Sequence, residues 1–158
     1  MKGSKVGQSG VTMFRGTSYH KIDPKGRIVV PSRFREIIGT DGAAMITFFE
    51  GGLYAYTLEE WSKIEAKLVM LEKKGNQMRR FRRFFIGRAS ECQPDRQWRV
   101  LIPPELRQDA GLEEEIVLIG ISDHFEIWSR AKWEEQKKLH EDDMGDEEFQ
   151  NEIEKLGL

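Results

Sequence analysis

The chain has 158 residues, 39% of them hydrophobic and 33% charged, a composition that suits one compact body with an apolar core. A single cysteine, Cys92, excludes an intrachain disulfide, and no apolar run reaches the eighteen residues that would suggest a membrane span. The net charge of −2 is unevenly spread: residues 134–158 carry ten acids and three Lys, a balance of −7, which leaves +5 on residues 1–133.

Residues 1–12, MKGSKVGQSGVT, lack the apolar core of a signal peptide and read as a disordered N-terminal extension, so a cytoplasmic protein is expected. The first structural unit runs over 13–73. Its short β-prone stretches YHKI and RIVV flank Asp-Pro-Lys-Gly, where Pro presets a turn and Gly admits positive φ. Pro31 then suits the first turn of a helix over PSRFREIIG, closed by Gly39. AAMITFFE and LYAYT around Gly51-Gly52 predict a hairpin. Thr57 and Glu60 have the spacing of a capping box, and Leu58, Trp61, Ile64, Leu68 and Leu71 recur at helical intervals behind them.

Residues 74–85 read as a basic linker helix in which Phe81, Phe84 and Phe85 can bury while Arg79, Arg80, Arg82 and Arg83 stay at the rim. This cluster suits a DNA or subunit contact as well as a solvated face. The second unit, 86–133, repeats the first at an offset of 72 residues. Asp23 maps onto Asp95, Pro31 onto Pro103, Arg35 onto Arg107, Gly39 onto Gly111 and Trp61 onto Trp133. Residues 134–158 form the acidic tail, where Phe149, Ile153 and Leu156 mark an amphipathic helix or a segment that folds on a partner.

Two copies are too few for a solenoid, and neither has enough strands to cover its own edges. The expected fold is therefore α+β, mainly β, with the copies intertwined about a pseudo-two-fold axis into a small barrel flanked by short helices. An enzyme is not expected. His20, His124 and His140 lack metal-binding spacing, Cys92 has no partner for a zinc site, and neither a cofactor nor a small-molecule substrate is implied.

The basic body points to phosphate. Between Arg15 and Arg35 lie Arg15, Lys21, Lys25, Arg27, Arg33 and Arg35 against one acid, Asp23. Lys25 and Arg27 at the protruding turn are the first candidates to enter a DNA groove, and an Arg can bond guanine O6 and N7 together. Arg15, Lys21, Arg33 and Arg35 are flanking phosphate contacts, and Arg99 keeps the register of Arg27 in a less basic setting. Asp23 and Asp95 brace the turn and orient the Arg, with acceptance of a hydrogen bond from cytosine N4 the minor alternative for Asp23. Trp98, at the place of Gly26, could stack on a base, but a lone Trp reads first as core or interface packing.

The stretches MFRG, IDPKGRIVVPSRFRE, GRASE, LIPPELRQDAGL and EIVLIGISDHFEIWS together resemble the MraZ family of bacterial transcriptional regulators, from about Met13 to Trp133. The resemblance implies a duplicated AbrB-like (SpoVT-AbrB) barrel, a cytoplasmic and nucleoid-associated protein, ring-shaped homo-oligomers, and repression of its own division and cell-wall gene cluster through double-stranded DNA. Residues 1–12, Pro94 and Trp98 depart from the family pattern. The rival reading is a structural or protein-interaction module that recruits a partner through the acidic tail.

Overall fold

A computed structural model describes residues 13–40, 42–71 and 75–158. The expectation for residues 1–12 lies outside them. The elements are β1 (Thr17–Lys21), β2 (Arg27–Val29), α1 (Ser32–Ile38), β3 (Ala44–Phe49), β4 (Gly52–Thr57), α2 (Leu58–Met70), α3 (Asn76–Gly87), β5 (Ser90–Cys92), β6 (Arg99–Leu101), α4 (Pro104–Ala110), β7 (Glu115–Ile121), β8 (His124–Ser129), α5 (Arg130–Met144) and α6 (Glu147–Glu154). Two strands, a short helix, a hairpin and a long helix thus occur twice, with α3 between the copies.

Local chemistry sets the boundaries. The Thr57 hydroxyl accepts from the Glu60 amide at 3.2 Å to start α2, and its counterpart Ser129 accepts from Lys132 at 3.1 Å to start α5. Pro31 and Pro103 occupy the N-cap positions of α1 and α4, in extended backbone. Glu60 does not complete the capping box; its carboxylate meets Lys63 at 3.1 Å instead.

Six strands form an antiparallel sheet in the order β1-β7-β8-β4-β3-β5, and β2 pairs with β6 in a separate two-stranded ribbon. Outside the β3–β4 and β7–β8 hairpins, every pairing joins one copy to the other. Ser18 pairs with Leu118 as Ser90 pairs with Ile46, and at the seam Leu53 faces Ile127 while Ala55 faces Phe125. Each of these pairs is converted into its counterpart by the 72-residue offset, so the pseudo-two-fold axis runs through the seam of β4 and β8.

The sheet does not close. Among the described residues β1 and β5 have no further strand on their outer edges, so a hydrogen-bonded barrel is replaced by an open sheet facing a ribbon. The turn after β1 is the reason. It is held by only two backbone hydrogen bonds between Asp23, Gly26 and Arg27, after which β2 leaves β1 and joins β6.

The main core fills the space between sheet and ribbon and belongs to neither copy alone. Ile28, Val30, Phe34, Ile46 and Leu53 from the first meet Val100, Ile102, Leu106, Leu118 and Phe125 from the second. Phe14, Phe34 and Phe125 make an aromatic triad with centroids 4.9–5.3 Å apart. Full burial of such a side chain contributes about 1.5–3 kcal/mol. A second cluster, Tyr56, Trp61, Leu68 and Phe85, seats α2 and α3 on the outer face of β3 and β4.

Candidate nucleic-acid interface

The repeated Asp builds the same turn twice. Asp23 Oδ1 accepts from the amides of Lys25 (2.9 Å) and Arg27 (2.8 Å), and Oδ2 accepts from Arg27 Nε at 2.7 Å. Asp95 Oδ1 accepts from the amides of Gln97 (2.8 Å) and Arg99 (2.9 Å), and Oδ2 accepts from Arg99 Nε at 2.8 Å. A carboxylate that accepts from the amide two residues on is a common way to tie a turn. The Arg27 or Arg99 amide in particular holds each carboxyl below the usual Asp range, and the guanidinium adds to this against the opposing effect of burial.

The turns aim their Arg side chains onto a shared surface. In the ribbon Arg27 faces Leu101, Ile28 faces Val100 and Val29 faces Arg99. Ile28 and Val100 point into the core, so by strand alternation Arg27, Val29, Arg99 and Leu101 share the outer face. Val29 is 43% and Leu101 55% exposed. Arg27 and Arg99 lie diagonally across the ribbon, where neighbours sit roughly 7–8 Å apart. Each uses Nε on its own Asp, and the terminal guanidinium nitrogens have no hydrogen-bond partner among the described residues. Lys25 is exposed within the first turn.

The other candidates are placed differently. Arg33 donates from Nε to the Arg15 carbonyl (2.8 Å) and from Nη2 to the Gly16 carbonyl (3.0 Å), with its Cζ 4.3 Å from the Phe34 ring. It clamps the segment before β1 onto α1, and desolvation lowers its pKa. Arg35 donates from Nε to the Val30 carbonyl at 2.9 Å and lies over the Trp98 ring. Arg15, just before β1, and Lys21, its last residue, are exposed. The structure thus brings Lys25, Arg27 and Arg99 to the ribbon and commits part of Arg33 and Arg35 to backbone carbonyls.

Arg96 was not singled out by sequence reasoning, yet it stands exposed in the second turn at the position Pro24 holds in the first. The offset that aligns the two Asp residues was the signal for it. Trp98 takes φ 61° where Gly26 takes 90°, so the second turn keeps its hydrogen bonds with a residue that strains them.

Two antiparallel strands fit the major groove of duplex DNA, and Arg can bond guanine there with two parallel hydrogen bonds. Exposed Val and Leu beside the Arg side chains suit the thymine methyl. Among the described residues no His, Cys, Asp and Glu group is arranged to hold a metal ion, and no helix is long and apolar enough to cross a membrane.

Comparison with known proteins agrees with the duplication. The family model described as "MraZ protein, putative antitoxin-like" matches twice, over residues 13–84 and 85–151. A protein of Desulfosudis oleivorans named Transcriptional regulator MraZ is 92% identical over 146 residues, covering 92% of this chain and all of the relative. Proteins of the same name from Desulforapulum autotrophicum and Acetivibrio thermocellus are 52% identical over 148 residues and 44% over 122. They cover 92% and 77% of this chain, and 100% and 85% of their own lengths. Two matched halves, and near identity along almost the whole length to a named member, place this chain in the MraZ family.

Proposed function

We propose that this protein is a DNA-binding transcriptional regulator that uses the β2–β6 ribbon as its reading surface. The observation that carries the reading is the Asp-tied turn built twice, each time setting an Arg on the ribbon's outer face. Arg27 and Arg99 contact base edges, Lys25 and Arg96 contact phosphate, and Arg15 and Lys21 extend the phosphate contact along β1. Asp23 and Asp95 orient the Arg side chains and do not themselves face the DNA.

One ribbon offers few base contacts, so specificity comes from several copies held at fixed spacing over repeated sites. The target is DNA upstream of the protein's own gene, in a division and cell-wall cluster, and the protein represses it as a ring-like homo-oligomer in the cytoplasm, at the nucleoid. The family membership and the cationic ribbon support this reading.

Fluorescence anisotropy on own upstream DNA and on shuffled DNA, over a range of salt, tests it. The expected result is selective binding that weakens steeply with salt and is reduced about 5- to 150-fold by Arg27→Ala, the scale of one lost bidentate contact at about 1–3 kcal/mol. Equal binding to both DNAs and indifference to Arg27→Ala would overturn it.

A further inference from the structure

Helices α3 and α6 are counterparts. The 72-residue offset places Phe81 on Ile153 and Phe84 on Leu156, and it places Arg80 and Arg82 on Glu152 and Glu154. The duplication therefore continues into the tail, with the charge inverted: α3 holds four Arg and no acid, whereas residues 146–158 hold five acids and one Lys.

Their settings differ. Phe85 of α3 is buried and stacks on Trp61 with centroids 5.5 Å apart, so α3 is seated on its own repeat. The wall that receives it includes Tyr54, Ile64 and Leu68. In the second repeat these positions are Glu126, Gln136 and His140, which gives α6 no equivalent apolar wall. It packs on the end of α5, where Gln150 Nε2 donates to the Met144 carbonyl at 2.6 Å. Phe149 and Ile153 are half-buried, and Leu156 is 74% exposed.

The outer side of α3 has complementary properties. Arg79, Arg80 and Arg83 are exposed, none makes an ion pair among the described residues, and Phe84 stands beside them at 52% exposure. An acidic helix with an uncovered apolar stripe and a basic helix with an exposed Phe are thus present in every copy.

We propose that α6 of one copy docks on the outer face of α3 in a second copy. Glu148 and Glu152 meet Arg80 and Arg83, while Ile153 and Leu156 cover Phe84 and the Arg aliphatic stems. Each copy then gives one arm and receives another. Such a contact is heterologous, and it closes into a ring where the rotation between copies permits and runs on as a filament where it does not. The inference rests on the reading that the chain self-associates.

Sedimentation velocity on the full chain tests it with two charge-reversed variants, all substitutions being at exposed positions. Arg80→Glu/Arg83→Glu has a spoiled seat and an intact arm; Glu148→Lys/Glu152→Lys has the reverse. Each alone should lose the wild-type assembly. Mixed in equal amounts they should assemble again as alternating copies, since the acidic arm of one fits the basic seat of the other and the reversed arm fits the reversed seat. A chain carrying all four reversals should assemble as the wild type does, which separates lost docking from lost folding.

Three results would overturn the proposal in distinguishable ways. Wild-type assembly by both variants means that self-association stands but uses another surface. Recovery in the fourfold variant without assembly in the mixture means that arm and seat meet within one chain. A monomeric wild type at every concentration removes the self-association reading itself.

Discussion

The Arg107 guanidinium lies against Gly26 so closely that a Cβ at residue 26 would sit 2.5 Å from its Cζ, whereas its counterpart Arg35 lies 5.8 Å from the Trp98 ring. The two turns share a hydrogen-bond pattern but not their neighbours. Gly26 at φ 90° admits Arg107 above it; Trp98 at φ 61° fills that space with its own ring.

Gly26→Ala is therefore expected to lower stability by about 1–2 kcal/mol, the cost of a left-handed non-Gly residue, with a smaller addition while Arg107 moves aside. Urea unfolding measures it. Thr17→Ala, on the exposed side of β1, is the comparison and should shift the midpoint little.

Asp23 and Asp95 make stability depend on pH at the acid end. Their folded pKa values are depressed, so the contribution is present in full above the unfolded value of about 3.9 and disappears as pH falls through the folded values. Urea midpoints taken from pH 5 down to pH 2 should fall for the wild type and fall less for Asp23→Asn/Asp95→Asn. Identical slopes for the two proteins would remove the turns from the account.

His124 acts in the opposite sense. Its Nδ1 lies 2.8 Å from Asp123 and its Nε2 3.0 Å from Glu126, and the ring stacks on Tyr54 at 4.8 Å. Burial depresses the imidazolium, but the hydrogen bonds to Glu126 and Asp123 prevail and its pKa is raised. The resulting stability is complete below the unfolded pKa of about 6.5 and is lost as pH rises through the folded value. Thermal unfolding between pH 6 and pH 9 should show a decline that His124→Gln abolishes.

Leu53 is fully buried at the seam of the two copies, opposite Ile127. Leu53→Ala should cost about 2–5 kcal/mol, the range for a truncated core Leu. Because the core is shared, loss should appear as one cooperative unfolding transition. Two separate transitions would show that the repeats unfold independently.

Much of this architecture is legible in the chain. The duplication, the Asp-Pro-Lys-Gly turn, the helix starts at Pro31 and Thr57 and the Gly51-Gly52 hairpin all follow from local chemistry. Strand pairing does not, because three residues such as Arg27–Val29 carry too little alternation to name a partner, and β6 rather than β1 receives β2. The open sheet follows from that choice. At the candidate site the Asp–Arg spacing announces its own bond, whereas the clamp of Arg33 on the Arg15 carbonyl depends on tertiary proximity that charge counting cannot supply. Trp98 in a left-handed conformation is likewise visible only once the turn is built.

The crossed pairing also sets a timetable for folding during synthesis. Among the described residues β1 has its only sheet partner in β7, Thr17 opposite Ile119, so the first strand leaves the translation machinery long before its neighbour exists. At roughly 5–20 residues per second that wait is on the order of 5–20 s. The nascent first repeat spends it with an apolar face uncovered. Those seconds are when the uncovered edge of β1 is open to a strand from a neighbouring nascent chain.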